Sequence, residues 1–297
     1  MKLLAPTYYK KFKCLADACR HSCCIGWEID VDEDTLSFYD GVEGDIGEII
    51  RTGIEKCPDG AHFKLCKGER CALLDERGLC RIISALGEGA LCDICREHPR
   101  FYNTVGEHME CGIGAACEAA AALILAEEDY VTLEYVEDVE DISPITGLDF
   151  DAQSARETVF SLLCDRTFSL TARITHIIEQ CAVPSPVHGA PLCALLESLE
   201  YLDGHHREEL LLLAARPVVT ETWGEAHERF LAYLVYRHAS TAQTGKEFSA
   251  FLCVSVLLTH LFDGLMHTHT PVESARIISE EMEYSEDNMQ ALLTAAE

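Results

Sequence analysis

The sequence predicts a mainly α fold, with a cysteine-rich N-terminal part packed on a C-terminal helical bundle. Three observations point there. From residue 151 onward apolar residues recur at i, i+3, i+4 and i+7, the period of helices with one buried face. Twelve of the sixteen cysteines lie between Cys14 and Cys117, among short apolar runs broken by Gly and Pro. The alanine-rich stretch AACEAAAALILAEED, residues 115–129, is a strong helix former. Together these divide the chain into a cysteine-rich region, 1–145, and an all-helical region, 146–297.

The elements follow in order. In WEIDVDEDTLSFYDGV, Asp caps stand just ahead of Leu36 and Tyr39, so a helix starts at Asp34 or Thr35. After the alanine-rich helix, the acidic EYVEDVEDISPITG (134–147) reads as a short strand or extended connection ending in turn residues. Helical periodicity then covers residues 154–180, 194–202, 207–215, 225–240, 247–265 and 271–283. Breaks fall at Pro184–Pro186, Gly204, Arg216–Pro217 and Gly245, and no repeat of fixed period occurs.

Composition bounds the setting. The opening MKLLAPTYYKKFKC holds only a four-residue apolar run, too short for a signal peptide, and no run of eighteen apolar residues occurs. A soluble, cytoplasmic protein is expected, with no membrane partner. In a reducing compartment, dense cysteines read as metal ligands or catalytic thiols before disulfides. The formal charge of −28 argues against nucleic acid, because a phosphate backbone needs clustered Lys and Arg. It would attract lysine-bearing proteins, or serve solubility alone.

The cysteine spacing is C-x4-C-x3-C-C, then C-x8-C (Cys71, Cys80), Cys92-x2-Cys95 and Cys111-x5-Cys117. Zinc fingers alternate C-x2-C with paired histidines, and only Cys92-x2-Cys95 resembles half of one. Iron–sulfur clusters draw thiolates from one loop and from distant positions, which suits this spacing better. A thiol-rich core without metal is the alternative. Cys164, Cys181, Cys193 and Cys253 lack partners at ligand spacing and read as packing residues.

Four blocks carry a resemblance: YYKKFKCLADACRHSCCIGWEIDVD, HFKLCKGERCALLDERGLCRI, ALGEGALCDICREHPRFYN and ACEAAAALIL. In that order they resemble the flagellin lysine-N-methylase family, with its CxxCxxCC-like metal-chelating element. RFLAYLVYRHAS is similar to a weaker helical segment of that family. The resemblance is specific over roughly residues 8–125. Two places depart from the pattern. Ala72, Leu73 and Leu74 replace the usual Pro-Phe-Leu, and Glu118, Ala119 and Ala122 stand where Pro-Glu and then Arg are usual.

The resemblance implies methyl transfer from S-adenosylmethionine to lysines of flagellin or another lysine-bearing protein. It also implies a cysteine-bound iron–sulfur (4Fe–4S) centre, or zinc. The implied metal ligands are Cys14, Cys19, Cys23, Cys24, Cys71, Cys80, Cys95 and Cys117. The alternative function is a non-catalytic metal-chelating or redox-sensing protein.

MECGIGAAC (109–117) has the Glu-x-Gly-x-Gly look of a methyltransferase cofactor loop, and GVEGDIGE (41–48) is a weaker glycine loop. No alternating strand–helix pattern surrounds either, so the sequence does not locate a nucleotide pocket. Trp27 is expected to pack over the thiols. Arg96 and Arg100 would neutralise a cluster or face solvent. His260, His267 and His269 form a weak metal candidate, and Cys95 with His98 a weak nucleophile–base pair.

Overall fold

A computed structural model describes residues 1–58, 60–140, 142–145, 147–214 and 223–297. It separates into two compact units: Lys13–Arg100, and Met1–Phe12 together with Phe101–Glu297. The expected division near residue 145 falls inside the second unit. The break expected at Arg216–Pro217 lies outside the described residues.

The chain opens with strand β1 (Lys2–Pro6). Lys13–Arg100 then contains helices α1 (Glu33–Asp40) and α2 (Gly44–Thr52), hairpin β2 (Ile54–Cys57) and β3 (Gly60–Phe63), and a short hairpin β4 (Leu65–Cys66) and β5 (Arg70–Cys71). Two short helices close it, α3 (Arg81–Leu86) and α4 (Asp93–Glu97). The Asp32 carboxylate accepts from the Thr35 amide at 2.8 Å, so the expected cap forms and α1 starts one turn residue early. The weaker glycine loop, 41–48, is largely the start of α2. The core of this unit gathers Ile29, Tyr39, Ile50, Phe63, Leu73 and Ile82, with Cys71 and Cys92 among them. Trp27 packs against it, as its place beside the thiols predicts.

In the larger unit, β6 (Arg100–Val105), β7 (His108–Ile113) and β8 (Leu133–Asp138) join β1 in a mixed sheet of order β6-β7-β1-β8. β1 runs parallel to β7 and antiparallel to β8. Sequence reading misses most of this sheet, because four short strands from distant places give little period of their own. The alanine-rich helix is α5 (Glu118–Ala126), and the acidic segment after it is β8.

Among the described residues, eight further helices follow: α6 (Ala152–Leu163), α7 (Leu170–Gln180), α8 (Ala190–Ser198), α9 (Gly204–Leu213), α10 (Glu225–His238), α11 (Gly245–Leu265), α12 (Pro271–Ile278) and α13 (Glu286–Ala296). The fold is thus mainly α. The periodic stretch 154–180 is two helices, because Asp165 turns the chain onto the Thr167 amide at 3.0 Å and Ser169 caps α7 at 3.3 Å. Side-chain caps at Thr244, Thr270 and Ser285 start α11, α12 and α13. α11 is long and apolar enough to cross a membrane, yet 89% of its apolar window is buried inside the protein, where α9, α10, α12 and α13 pack on it.

α12 does not run to 283 as one α-helix. It passes into a π turn at Ser279–Glu283. That turn sets Glu281 and Glu283 inward, each with a fully buried side chain.

Candidate metal centre

Backbone pairing brings the thiols of Lys13–Arg100 together. The Cys71 amide donates to the Cys24 carbonyl at 2.8 Å, and the Gly26 amide donates to Glu69 at 2.9 Å, so the CC pair lies along β4–β5. Gly26 takes the left-handed conformation (φ +85°) that this turn requires. The C-x8-C loop closes through Asp75, whose carboxylate accepts from the Arg77 and Leu79 amides at 2.8 and 2.9 Å. An isolated bridge then pairs Leu74 with Cys80. Cys80 and Cys92 immediately precede α3 and α4.

The result is a five-thiol group: Cys24, Cys71, Cys80, Cys92 and Cys95. All five lie in or against one apolar core, and Cys71, Cys80 and Cys95 sense the charge of others in the set, Cys24 among them each time. The Cys23 thiol donates to Cys24, which outweighs burial and, with Ser22 and Arg70, lowers the Cys24 thiol to about 7. Burial pushes Cys71 up to about 11 and raises Cys80. The Cys95 thiol donates to Cys92, so Cys92 is lowered and Cys95 raised. Tyr39 lies beside Cys80, Cys92 and Cys95; burial first, then those sulfurs, raises its hydroxyl, which donates to Ala90 at 2.7 Å.

Backbone N–H groups favour the thiolate at three of these sulfurs: Leu73 at Cys71, Ile82 and Ile83 at Cys80, and Cys95 at Cys92. Such donors stabilise ligated thiolates. The donor set therefore fits a thiolate-held metal. Among the described residues, no three of these sulfurs lie within 4.8 Å of one another. Tetrahedral bonds of ~2.3 Å would hold zinc thiolates about 3.8 Å apart, so the spacing is wider than a closed zinc site.

Of the eight sequence-derived ligands, Cys24, Cys71, Cys80 and Cys95 meet here. Cys23 is exposed beside Cys24. Cys14 is exposed and accepts from the Ala16 amide at 3.4 Å, while the Cys19 thiol donates to the His21 carbonyl at 3.2 Å. Cys117 lies in the other unit, ahead of α5 and close to Tyr284. Cys92, fully buried, joins them although the resemblance does not match it. Its C-x2-C spacing to Cys95 is the signal for it in the sequence. Arg96 is taken up by Asp93 and Glu97, and His269 by Glu209 at 2.9 Å. Cys164 is exposed rather than packed, its thiol donating to the Tyr130 hydroxyl at 3.5 Å.

The glycines of MECGIGAAC serve packing. A Cβ at Gly112 would stand 2.3 Å from the Phe101 ring, and one at Gly114 would stand 2.3 Å from the Tyr284 hydroxyl and 2.8 Å from the Arg237 guanidinium. Gly114→Ala is therefore expected to cost about 1–3 kcal/mol by overpacking. Urea unfolding reads this directly, and a variant as stable as the parent would refute the close approach. Beyond Gly114 lies a cavity of about 360 Å³, lined by Phe101, Asn103, Arg237, His238, Phe251 and Glu286 among others. Its guanidinium sits over the rings of Phe101 and Tyr284, 5.0 and 4.8 Å from their centroids.

Comparison with known proteins bears out the resemblance to lysine-N-methylases. The chain is 30% identical over 142 residues to a lysine-N-methylase of Salmonella typhimurium (strain LT2), and likewise to one of Salmonella choleraesuis (strain SC-B67). It is 29% identical over 134 residues to the flagellar biosynthetic protein FliU of Salmonella muenchen. Each match covers 43% of this chain; it spans 33% of each lysine-N-methylase and 79% of FliU. No protein-family profile and no solved structure matches.

Proposed function

We propose, with kinship to proteins named lysine-N-methylase as the premise, that this chain takes part in methylating lysine side chains of a protein such as flagellin. S-adenosylmethionine is the methyl donor in this reading. The observation that carries it is the five-thiol group in a chain related to those proteins. Cys24, Cys71, Cys80, Cys92 and Cys95 would supply the thiolates for an iron–sulfur cluster, with zinc as the other candidate. A bound cluster would tie the loops together and supply one-electron chemistry. Arg70 offsets part of the thiolate charge, and the apolar core around Tyr39 and Leu73 limits water.

We assign the lysine side chain to the cavity beside Arg237. Exposed Glu286 draws in an ammonium group by charge. Deeper in, the Arg237 guanidinium disfavours a second cation and so favours the free amine that methyl transfer needs. Burial lowers the His238 imidazole despite its carboxylate partner, which leaves it neutral to take a proton. The aromatic faces of Phe101 and Phe251 hold the aliphatic stem in line with the donor.

The test incubates the anaerobically prepared chain with labelled S-adenosylmethionine and flagellin. Label on flagellin lysines is expected, with about a hundredfold lower rate for His238→Ala. A chain that binds metal but neither S-adenosylmethionine nor flagellin would favour the second reading, a metal-chelating or redox-sensing protein. The occupied packing space at Gly112 and Gly114 is the observation on that side.

A further inference from the structure

The β2–β3 hairpin carries a donor set outside the five-thiol group. In its register Ile54 faces Phe63, Glu55 faces His62, Lys56 faces Ala61 and Cys57 faces Gly60. Alternation sends Ile54, Ala61 and Phe63 into the core, where each is at most 6% exposed. Glu55, Cys57 and His62 therefore share the outward face. Gly60, opposite Cys57, has no side chain to separate the thiol from the imidazole on the diagonal. One ligand atom from each of Glu55, Cys57 and His62 lies within 4.8 Å of the other two. A second carboxylate, Glu28, stands 3.2 Å from His62 Nδ1.

We propose that Cys57, His62 and Glu55 bind a zinc ion, separately from the cysteine group, with Glu28 as a fourth donor or as the carboxylate that orients the His62 ring. Sulfur, imidazole nitrogen and carboxylate oxygen are the three ligand types zinc accepts in tetrahedral sites. Magnesium and calcium ask for oxygen alone. The thiolate and one carboxylate balance the charge of the ion, and the second carboxylate suits the imidazole proton. Bound there, zinc would cross-link the two strands where they meet the turn.

This inference stands whether or not the chain methylates lysine. Its test uses the full chain, anaerobically reconstituted with iron and sulfide so that the cysteine group is occupied, then titrated with zinc. The parent is expected to take up about one zinc more than the Cys57→Ser and Glu55→Gln variants, with iron unchanged. Both substituted positions are exposed, so the core is untouched. Equal zinc uptake by parent and variants would overturn the proposal. A readout on the parent alone guards against a variant that fails to fold. Alkylation of Cys57 by iodoacetamide, read by peptide mass spectrometry, should slow about tenfold or more with one equivalent of zinc. Unchanged alkylation would overturn the site equally.

Discussion

Replacing Glu283 by alanine is expected to destabilise the helical unit by about 3–5 kcal/mol, the cost of stranding a buried charge by removing its partner. Its side chain is fully buried. The Tyr233 hydroxyl donates to it at 3.1 and 3.2 Å, His238 Nε2 lies 2.7 Å away, and Arg237 Nε lies 3.5 Å away. Burial alone would raise this carboxyl; the Arg237 charge and the His238 hydrogen bond outweigh it and hold it at about 2. The sign follows from linkage. A folded value below the unfolded one adds stability that is complete above about pH 4.5 and fades as pH falls toward 2. Urea unfolding of parent and variant should therefore differ fully at pH 6 and progressively less below pH 4.5. A difference independent of pH would show that shape, and not charge, fixes Glu283 in place.

Serine at Cys80 or Cys92 is expected to remove most of the metal from the cysteine group. The parent, reconstituted without oxygen, should hold about four irons and four sulfides. Each variant should hold under a quarter of that, because serine replaces a soft thiolate with an alcohol that stays protonated. Cys164→Ser, at an exposed position in the helical unit, is the control and should keep the full content. Iron lost with Cys14 or Cys19 but kept with Cys80 and Cys92 would move the ligands to the N-terminal loop. Zinc in place of iron, without sulfide, would keep the ligand set and replace the cluster with a single ion.

Local signals read well in this chain. The Asp32 cap and the apolar period of α10 and α11 depend on residues within one turn of each other. Such signals carry the helical class, whereas four members of the thiol group, Cys24, Cys71, Cys80 and Cys95, come from the family resemblance. The resemblance passes over Cys92, three residues before Cys95, because it compares blocks while membership depends on where a side chain ends up.

What only the tertiary structure decided joins residues far apart in the chain. Arg156 forks onto Glu110 at 2.5 and 2.6 Å across 46 positions, Glu283 meets Arg237 through a π turn, and Cys24 meets Cys71 across a hairpin edge. β1 finds its place between β7 and β8, more than a hundred residues away. Period and capping are short-range and survive in a one-dimensional string. Buried charge pairs, mixed sheets and thiol groups exist only once loop closure has brought distant segments together, and no spacing encodes that closure.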